Sequence, residues 1–187
     1  MIFNKYGNIA ENENIIIRKL KSKDFVFFKD WYISDHVKIE LKNTISDKEV
    51  KSMISVEEKY YLILIIENKN KPVGIIKIVE DKSLIIKDNK YNKPFYYFIL
   101  IFYEEISDYE KNKIIKLFIN SYKIFKLKSG ALFTLIDKAK NDMQNEYFVN
   151  DFKIIDKDYY KTELIETLNN RDDENHYDKL IMYIKNI

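Results

Sequence analysis

Nine consecutive apolar residues, Phe95-Tyr96-Tyr97-Phe98-Ile99-Leu100-Ile101-Phe102-Tyr103, constrain this chain more than any other stretch. A membrane helix needs about 20 such residues, so a run this short, rich in aromatic and β-branched side chains, reads as a strand in the middle of a sheet. Tyr60 to Glu67 reads as a strand in the same way, and its apolar run from Tyr60 to Ile66 predicts that it is buried on both faces. Pro72 to Glu80 follows it across the polar link Asn68-Lys69-Asn70-Lys71, and the two segments together predict an antiparallel hairpin.

Other elements fall around this centre. Asn4 to Asn14 is polar and without period, so residues 1–14 are expected to form a loosely ordered leader ahead of a first strand at Ile15-Ile16-Ile17. Asp24 suits the cap of a short helix whose Phe25, Phe28 and Trp31 share a face. Ser46 and Glu49 have the spacing of a capping box ahead of Val50, Met53 and Ile54. A minor strand is expected at Leu84 to Ile86, and a turn around Asn89 to Pro94. From Asp108, the expected N-cap, the period becomes helical through Ile114, Leu117, Phe118, Tyr122 and Phe125. Strands at Ala131 to Ile136, Phe152 to Ile155 and His176 to Lys185 complete the order, with a short helix at Lys140 to Val149. Helices interleaved with hairpin-connected strands make an α+β domain, and no repeat or linker divides the 187 residues.

Composition removes several function classes. Cys is absent and the two histidines, His36 and His176, are far apart, so neither a thiol nucleophile nor a zinc site is expected, and no metal is assigned. Three glycines in the whole chain cannot supply a Walker A loop or a Rossmann fingerprint. Arg18 and Arg171 are the only arginines among 32 basic residues, which face 30 acids for a formal charge of +2. That balance, with lysines interspersed among acids, argues against a nucleic-acid partner. No apolar stretch suits a membrane helix and the N-terminus lacks the pattern of a secretory signal, so a cytoplasmic location is expected. The excess of Lys, Ile, Asn and Tyr fits drift toward AT-rich codons, which erodes motifs built on Gly and Arg.

Four segments, in order, resemble the GNAT-type N-acetyltransferases, in particular the branch that acetylates ribosomal proteins and antibiotics. They are Ile15-Ile16-Ile17-Arg18-Lys19-Leu20 with Asp24 and Trp31, Lys71-Pro72-Val73-Gly74-Ile75-Ile76, Glu146-Tyr147-Phe148-Val149-Asn150-Asp151-Phe152, and Tyr177-Asp178-Lys179-Leu180-Ile181-Met182. The resemblance covers Ile15 to Ile187 and implies a central mixed, mostly antiparallel sheet of about seven strands flanked by helices. It also implies acetyl-CoA as cosubstrate. The family's Arg/Gln-x-x-Gly-x-Gly/Ala loop is altered, because Glu110, Lys113 and Ile115 stand at its three defining positions. In the family those glycines let backbone amides reach the pyrophosphate at a helix N-terminus. Lys111 and Lys113 offer a compensating pair of point charges, while the plainer reading makes them part of a solvated first turn.

By the same resemblance Tyr147 protonates the departing thiolate; Glu104 and Glu105, at the end of the central strand, are placed to take the proton of the amine directly or through water, and are equally open to being plain acids on a solvated connection. The backbone of Ile101, Phe102 and Tyr103 would bind the pantetheine arm, and Lys111, Asn112, Lys113, Ile114 and Asn141 complete the implied cofactor set. With 15 tyrosines in the chain, Tyr147 is also open to a plain packing role. Asp151 replaces a family glycine and is one of the few residue types that tolerates a left-handed backbone. Two functions stay open: an acetyltransferase acting on a small-molecule amine or a protein N-terminus, and a GNAT-fold interaction module without catalysis. Exposed edge strands at the closing end of the sheet are able to pair in a homodimer.

Overall fold

A computed structural model of the chain describes residues 9–21, 24, 61–87, 90–102, 106–125, 127–137, 150–163 and 180–187. Ten strands and one α-helix lie within them: β1 (Ile9–Asn12), β2 (Ile15–Lys19), β3 (Tyr61–Asn68), β4 (Lys71–Asp81), β5 (Ile85–Ile86), β6 (Phe95–Phe102), α1 (Asp108–Asn120), β7 (Ala131–Asp137), β8 (Lys153–Ile155), β9 (Tyr160–Lys161) and β10 (Leu180–Asn186). Eight strands form one sheet in the order β1-β2-β3-β4-β6-β7-β10-β8, and β5 pairs with β9 in a second. The sheet is mixed: β1–β2, β2–β3, β7–β10 and β8–β10 are antiparallel, and β6 runs parallel to β7. The expected α+β class with a mostly antiparallel central sheet is thus observed, with eight strands where about seven were expected. The helices expected at Asp24–Trp31, after Ser46 and at Lys140–Val149 lie outside the described residues, apart from Asp24 itself.

Contacts divide the chain into two compact units, Met1–Ile78 with Ile99–Ile106, and Val79–Phe98 with Ser107–Ile187. In the first, Ile63 to Ile66 on β3 are all buried, as an apolar run covered on both faces requires. The turn from β3 to β4 is Lys69-Asn70, with φ of 50° and 64°; two positive φ values twist the chain in the sense a two-residue hairpin needs. Residues 9–12, expected within the leader, instead pair with β2 from Ile9↔Arg18 to Asn12↔Ile15. Strand β1 lacks apolar alternation; its pairing satisfies the edge of β2, whose Ile15 and Ile17 are buried.

One ionic cluster fastens this unit. The Arg18 guanidinium donates to both carboxylate oxygens of Asp24, at 2.6 and 2.9 Å, and to Glu67 Oε1 at 2.6 and 2.9 Å. Asp24 also accepts the Lys21 amide at 2.8 Å, so the turn leaving β2 is tied to the strand. The hydrogen bond to Asp24 raises the Arg18 pKa further, outweighing the opposing effect of burial, and Glu67 adds to it.

In the second unit Leu84, Ile86, Phe95, Ala131, Phe133, Ile155, Tyr160, Met182 and Ile184 form a common core. Asp81, buried at the end of β4, accepts the Ser83 amide at 2.8 Å, the Ser83 hydroxyl at 2.6 Å, the Leu84 amide at 3.2 Å and the Thr162 hydroxyl at 2.5 Å. These neutral donors satisfy a buried carboxylate and lock the small β5–β9 sheet to the end of β4.

Candidate functional site

Strand β6 is where the resemblance places the thioester arm. Its parallel register with β7 covers Phe95↔Ala131, Tyr96↔Leu132 and Tyr97↔Phe133, and among the described residues goes no further, although β6 continues to Phe102. Ile101 is buried and Phe102 half-buried. Within the same unit Gly74 explains the Lys71-Pro72-Val73-Gly74 signature physically. A Cβ on Gly74 would stand 2.5 Å from the Ile101 carbonyl oxygen and 3.0 Å from the Phe102 ring, so only glycine lets β6 run this close to β4.

Helix α1 starts earlier than the sequence suggests. Its N-cap is Ser107, and Asp108, expected in that place, is the first helical residue. Ser107 Oγ accepts the Glu110 amide at 3.3 Å, while Glu110 Oε2 accepts the Ser107 amide at 3.3 Å and its hydroxyl at 2.8 Å. This is a complete capping box, which satisfies orphan donors at the helix start. The Lys111 amide already bonds the Ser107 carbonyl at 3.0 Å. Lys113 and Ile115, aligned with the family's glycines, are therefore the sixth and eighth residues of a continuous helix. Their amides are directed to carbonyls four residues back.

The side chains follow the same pattern. Lys111 Nζ pairs with Asp108 at 3.1 Å, and Lys113 Nζ lies over the Tyr109 ring, 4.6 Å from its centroid. Ile114 is fully buried and Ile115 also faces the core, whereas Asn112 accepts from Asn150 Nδ2 at 3.4 Å. The two positions aligned with the family's glycines thus lie within the helix and not at its N-terminal end, where an anion would be met. The amides of the glycine positions are committed within the helix, and the first turn carries two carboxylates, Asp108 and Glu110, of the ligand's own sign.

The segment after Tyr147 is better matched. Asp151 has φ of 61°, the left-handed conformation its glycine-replacing position was expected to need. Phe152 next to it is buried against Phe98 at 5.8 Å between centroids, and Phe98 meets Phe118 of α1 at 5.6 Å. Lys185 Nζ on β10 donates to the Asn150 carbonyl at 2.6 Å, securing that turn from the other side. Sequence reasoning missed three features: the Arg18–Glu67 link, the Asp81 cluster and the Ser107–Glu110 box. Only the last had a local signal, a Ser followed three residues later by Glu.

Tyr103, Glu104, Glu105, Asn141 and Tyr147 lie outside the described residues, as do Trp31, His36 and His176. Among the described residues no cluster of His, Cys, Asp or Glu has the makings of a metal site, and no helix is long and apolar enough to cross a membrane.

No family model matches the chain. No curated protein sequence matches it either. Solved structures do. The RimL ribosomal L7/L12 alpha-N-protein acetyltransferase in complex with coenzyme A superposes with a TM-score of 0.67 at 10% identity, over 96% of this chain and 98% of that one. The spermidine N-acetyltransferase from Vibrio cholerae in complex with CoA and spermine gives 0.65 at 11% identity, over 94% and 96%. An aminoglycoside acetyltransferase, AAC(6')-Ib, in complex with coenzyme A gives 0.60 at 9%, over 92% and 94%. Near-complete mutual coverage at such low identity is agreement of architecture, and the chain has the fold of the GNAT acetyltransferases.

Proposed function

We propose that this protein is an N-acyltransferase that moves an acetyl group from a pantetheine thioester, of which acetyl-CoA is the family's form, to a primary amine. The observation that carries the reading is end-to-end agreement of fold with CoA-bound acetyltransferases whose named acceptors are a protein N-terminus, a polyamine and an aminoglycoside. A small-molecule amine or a protein N-terminus is accordingly the acceptor class.

The chemistry is direct. The neutral amine attacks the thioester carbonyl, a C–N bond forms and the C–S bond breaks. The amine's proton goes to Glu104 or Glu105, and the thiolate takes a proton from Tyr147, leaving an amide and a thiol. The backbone of Ile101, Phe102 and Tyr103 holds the pantetheine amides as an extra strand would. Asn112, Ile114 and Asn141, with Lys111 and Lys113, are the remaining members of the donor site in this reading. For either lysine to meet a phosphate it must leave the first-turn partner it has on α1.

Calorimetric titration with acetyl-CoA and with CoA, repeated on Tyr147→Phe, tests this. Binding by both proteins, with thiol release in an amine screen lost only in Tyr147→Phe, is the expected outcome. A second reading, an interaction module of the same fold without catalysis, is favoured by the self-capped start of α1. It becomes the better one if no thioester binds at millimolar concentration.

A further inference from the structure

The small β5–β9 sheet, which lies wholly within the second unit, has two unlike faces. Ile85 pairs with Lys161 and Ile86 with Tyr160, and the Lys87 amide donates to the Tyr159 carbonyl at 2.9 Å, which carries the ladder one residue pair further. Side chains alternate across such a ladder. Ile86 and Tyr160 are buried in the common core, so the other face holds Ile85, Lys87, Tyr159 and Lys161, all exposed. Of the four large hydrophobic side chains exposed among the described residues, two are here, Ile85 at 66% and Tyr159 at 50%. The register sets them diagonally on one face, where long side chains share neighbours.

The lysines complete a regular pattern. Lys161 stands opposite Ile85, and Lys87 opposite Tyr159 with its Nζ 5.9 Å from the ring centroid. Each strand therefore reads apolar-x-Lys on its outer face, as Ile85-Ile86-Lys87 and Tyr159-Tyr160-Lys161. Lys161 makes no ion pair among the described residues. The exposed acids closest along the described chain, Asp158 and Glu163, lie outside these two rows. Neither strand has a second strand neighbour among the described residues.

We propose that this face docks an extended acidic segment of a partner protein, in which an acidic and an apolar residue stand two positions apart. Added beside either row as a further strand, such a segment sets its apolar side chain against Ile85 or Tyr159 and its carboxylate against Lys87 or Lys161. Charge complementarity selects this occupant. The same rows of a second copy offer only apolar or lysine side chains, and a nucleic acid leaves Ile85 without an apolar partner. The proposal is independent of the acyltransferase reading.

Fluorescence-anisotropy titration of the full chain with two labelled peptides of one composition, Leu and Glu among Thr, tests it. In the first peptide Leu and Glu alternate at every second position; in the second they are adjacent, which puts them on opposite faces of a strand. The alternating peptide is expected to bind about fivefold tighter or more. Lys87→Glu and Lys161→Glu should each weaken it by about tenfold, and Ile85→Thr by about threefold. All three positions are exposed, so the fold is not at stake. Lys153→Glu, the same charge change on exposed β8, should leave the affinity within about twofold. Equal binding of the two peptides, or an equal loss in Lys153→Glu, would reduce the effect to net charge and overturn the proposal. A single-stranded oligonucleotide that binds more tightly than the alternating peptide and is lost in the same variants would give the face to nucleic acid instead. Dimerisation that Ile85→Thr abolishes in sedimentation would give it to a second copy. Failure of the alternating peptide to bind at millimolar concentration would leave the face without this partner.

Discussion

Unit by unit, this chain uses carboxylates in two opposite ways. Arg18 and Asp24, with side chains 8% and 7% exposed, form a two-pronged contact that Glu67 completes. At the start of α1, Asp108 is 69% exposed and its partner Lys111 holds it through one contact of 3.1 Å. The groups are chemically alike, but the consequences differ. A buried pair cannot be broken without leaving a charge in a poorly solvated place, so it acts as a structural constraint. An exposed pair is exchangeable with water and contributes little to stability, yet it sets the charge that an approaching ligand meets.

The sharpest way to break this contrast is Arg18→Ala. It would leave Asp24 and Glu67 partly buried without their cation, and a loss of about 3–5 kcal/mol in urea unfolding is expected. Arg18→Lys should recover little of it, because one ammonium cannot bridge two carboxylates in the planar geometry seen here. A loss under about 1 kcal/mol would mean that water reaches the cluster, and the distinction between the two regions would collapse.

A smaller effect is expected at Asp81, which separates burial from ion pairing. It is buried like Asp24, but its donors are two amides and two hydroxyls. Asp81→Ala leaves the Ser83 and Leu84 amides without their acceptor. The Ser83 and Thr162 hydroxyls keep each other at 3.1 Å. The expected cost is about 2–3 kcal/mol, read from the same unfolding curves. A loss equal to that of Arg18→Ala would show that burial alone, rather than the uncompensated charge, sets the scale.

The contrast also explains what could be read from the sequence. Strands β3, β4, β6 and β7 were legible because runs of Ile, Val, Phe and Tyr leave few alternatives to a covered strand. Strand β1 was not, since Ile9-Ala10-Glu11-Asn12 has no period of its own and is recruited by the edge of β2. The N-cap was misplaced by one residue because Ser107 and Asp108 are both good caps, and the spacing to Glu110 decides between them. Arg18 and Glu67 are 49 positions apart, and only the β2–β3 register brings them together. For the candidate site, the altered loop was visible as residue types at 110, 113 and 115. That the helix begins ahead of all three was legible too, since both the expected cap at Asp108 and the Ser107–Glu110 spacing place its start there.

The smallest effect is expected where the cap is most exposed. Ser107→Ala removes the acceptor for the Glu110 amide and the hydroxyl that bonds the Glu110 carboxylate, both in reach of water. The expected loss is about 1 kcal/mol, with Ser107→Thr restoring most of it. Helix α1 itself should persist, because Ile114, Ile115, Leu117, Phe118 and Ile119 are buried and hold it by packing rather than by its cap. Hydrogen exchange along α1 distinguishes the cases. Faster exchange limited to the first turn keeps the cap a local, electrostatic device, whereas loss of protection through Ile119 would make it a structural one, equivalent in kind to the Arg18 cluster.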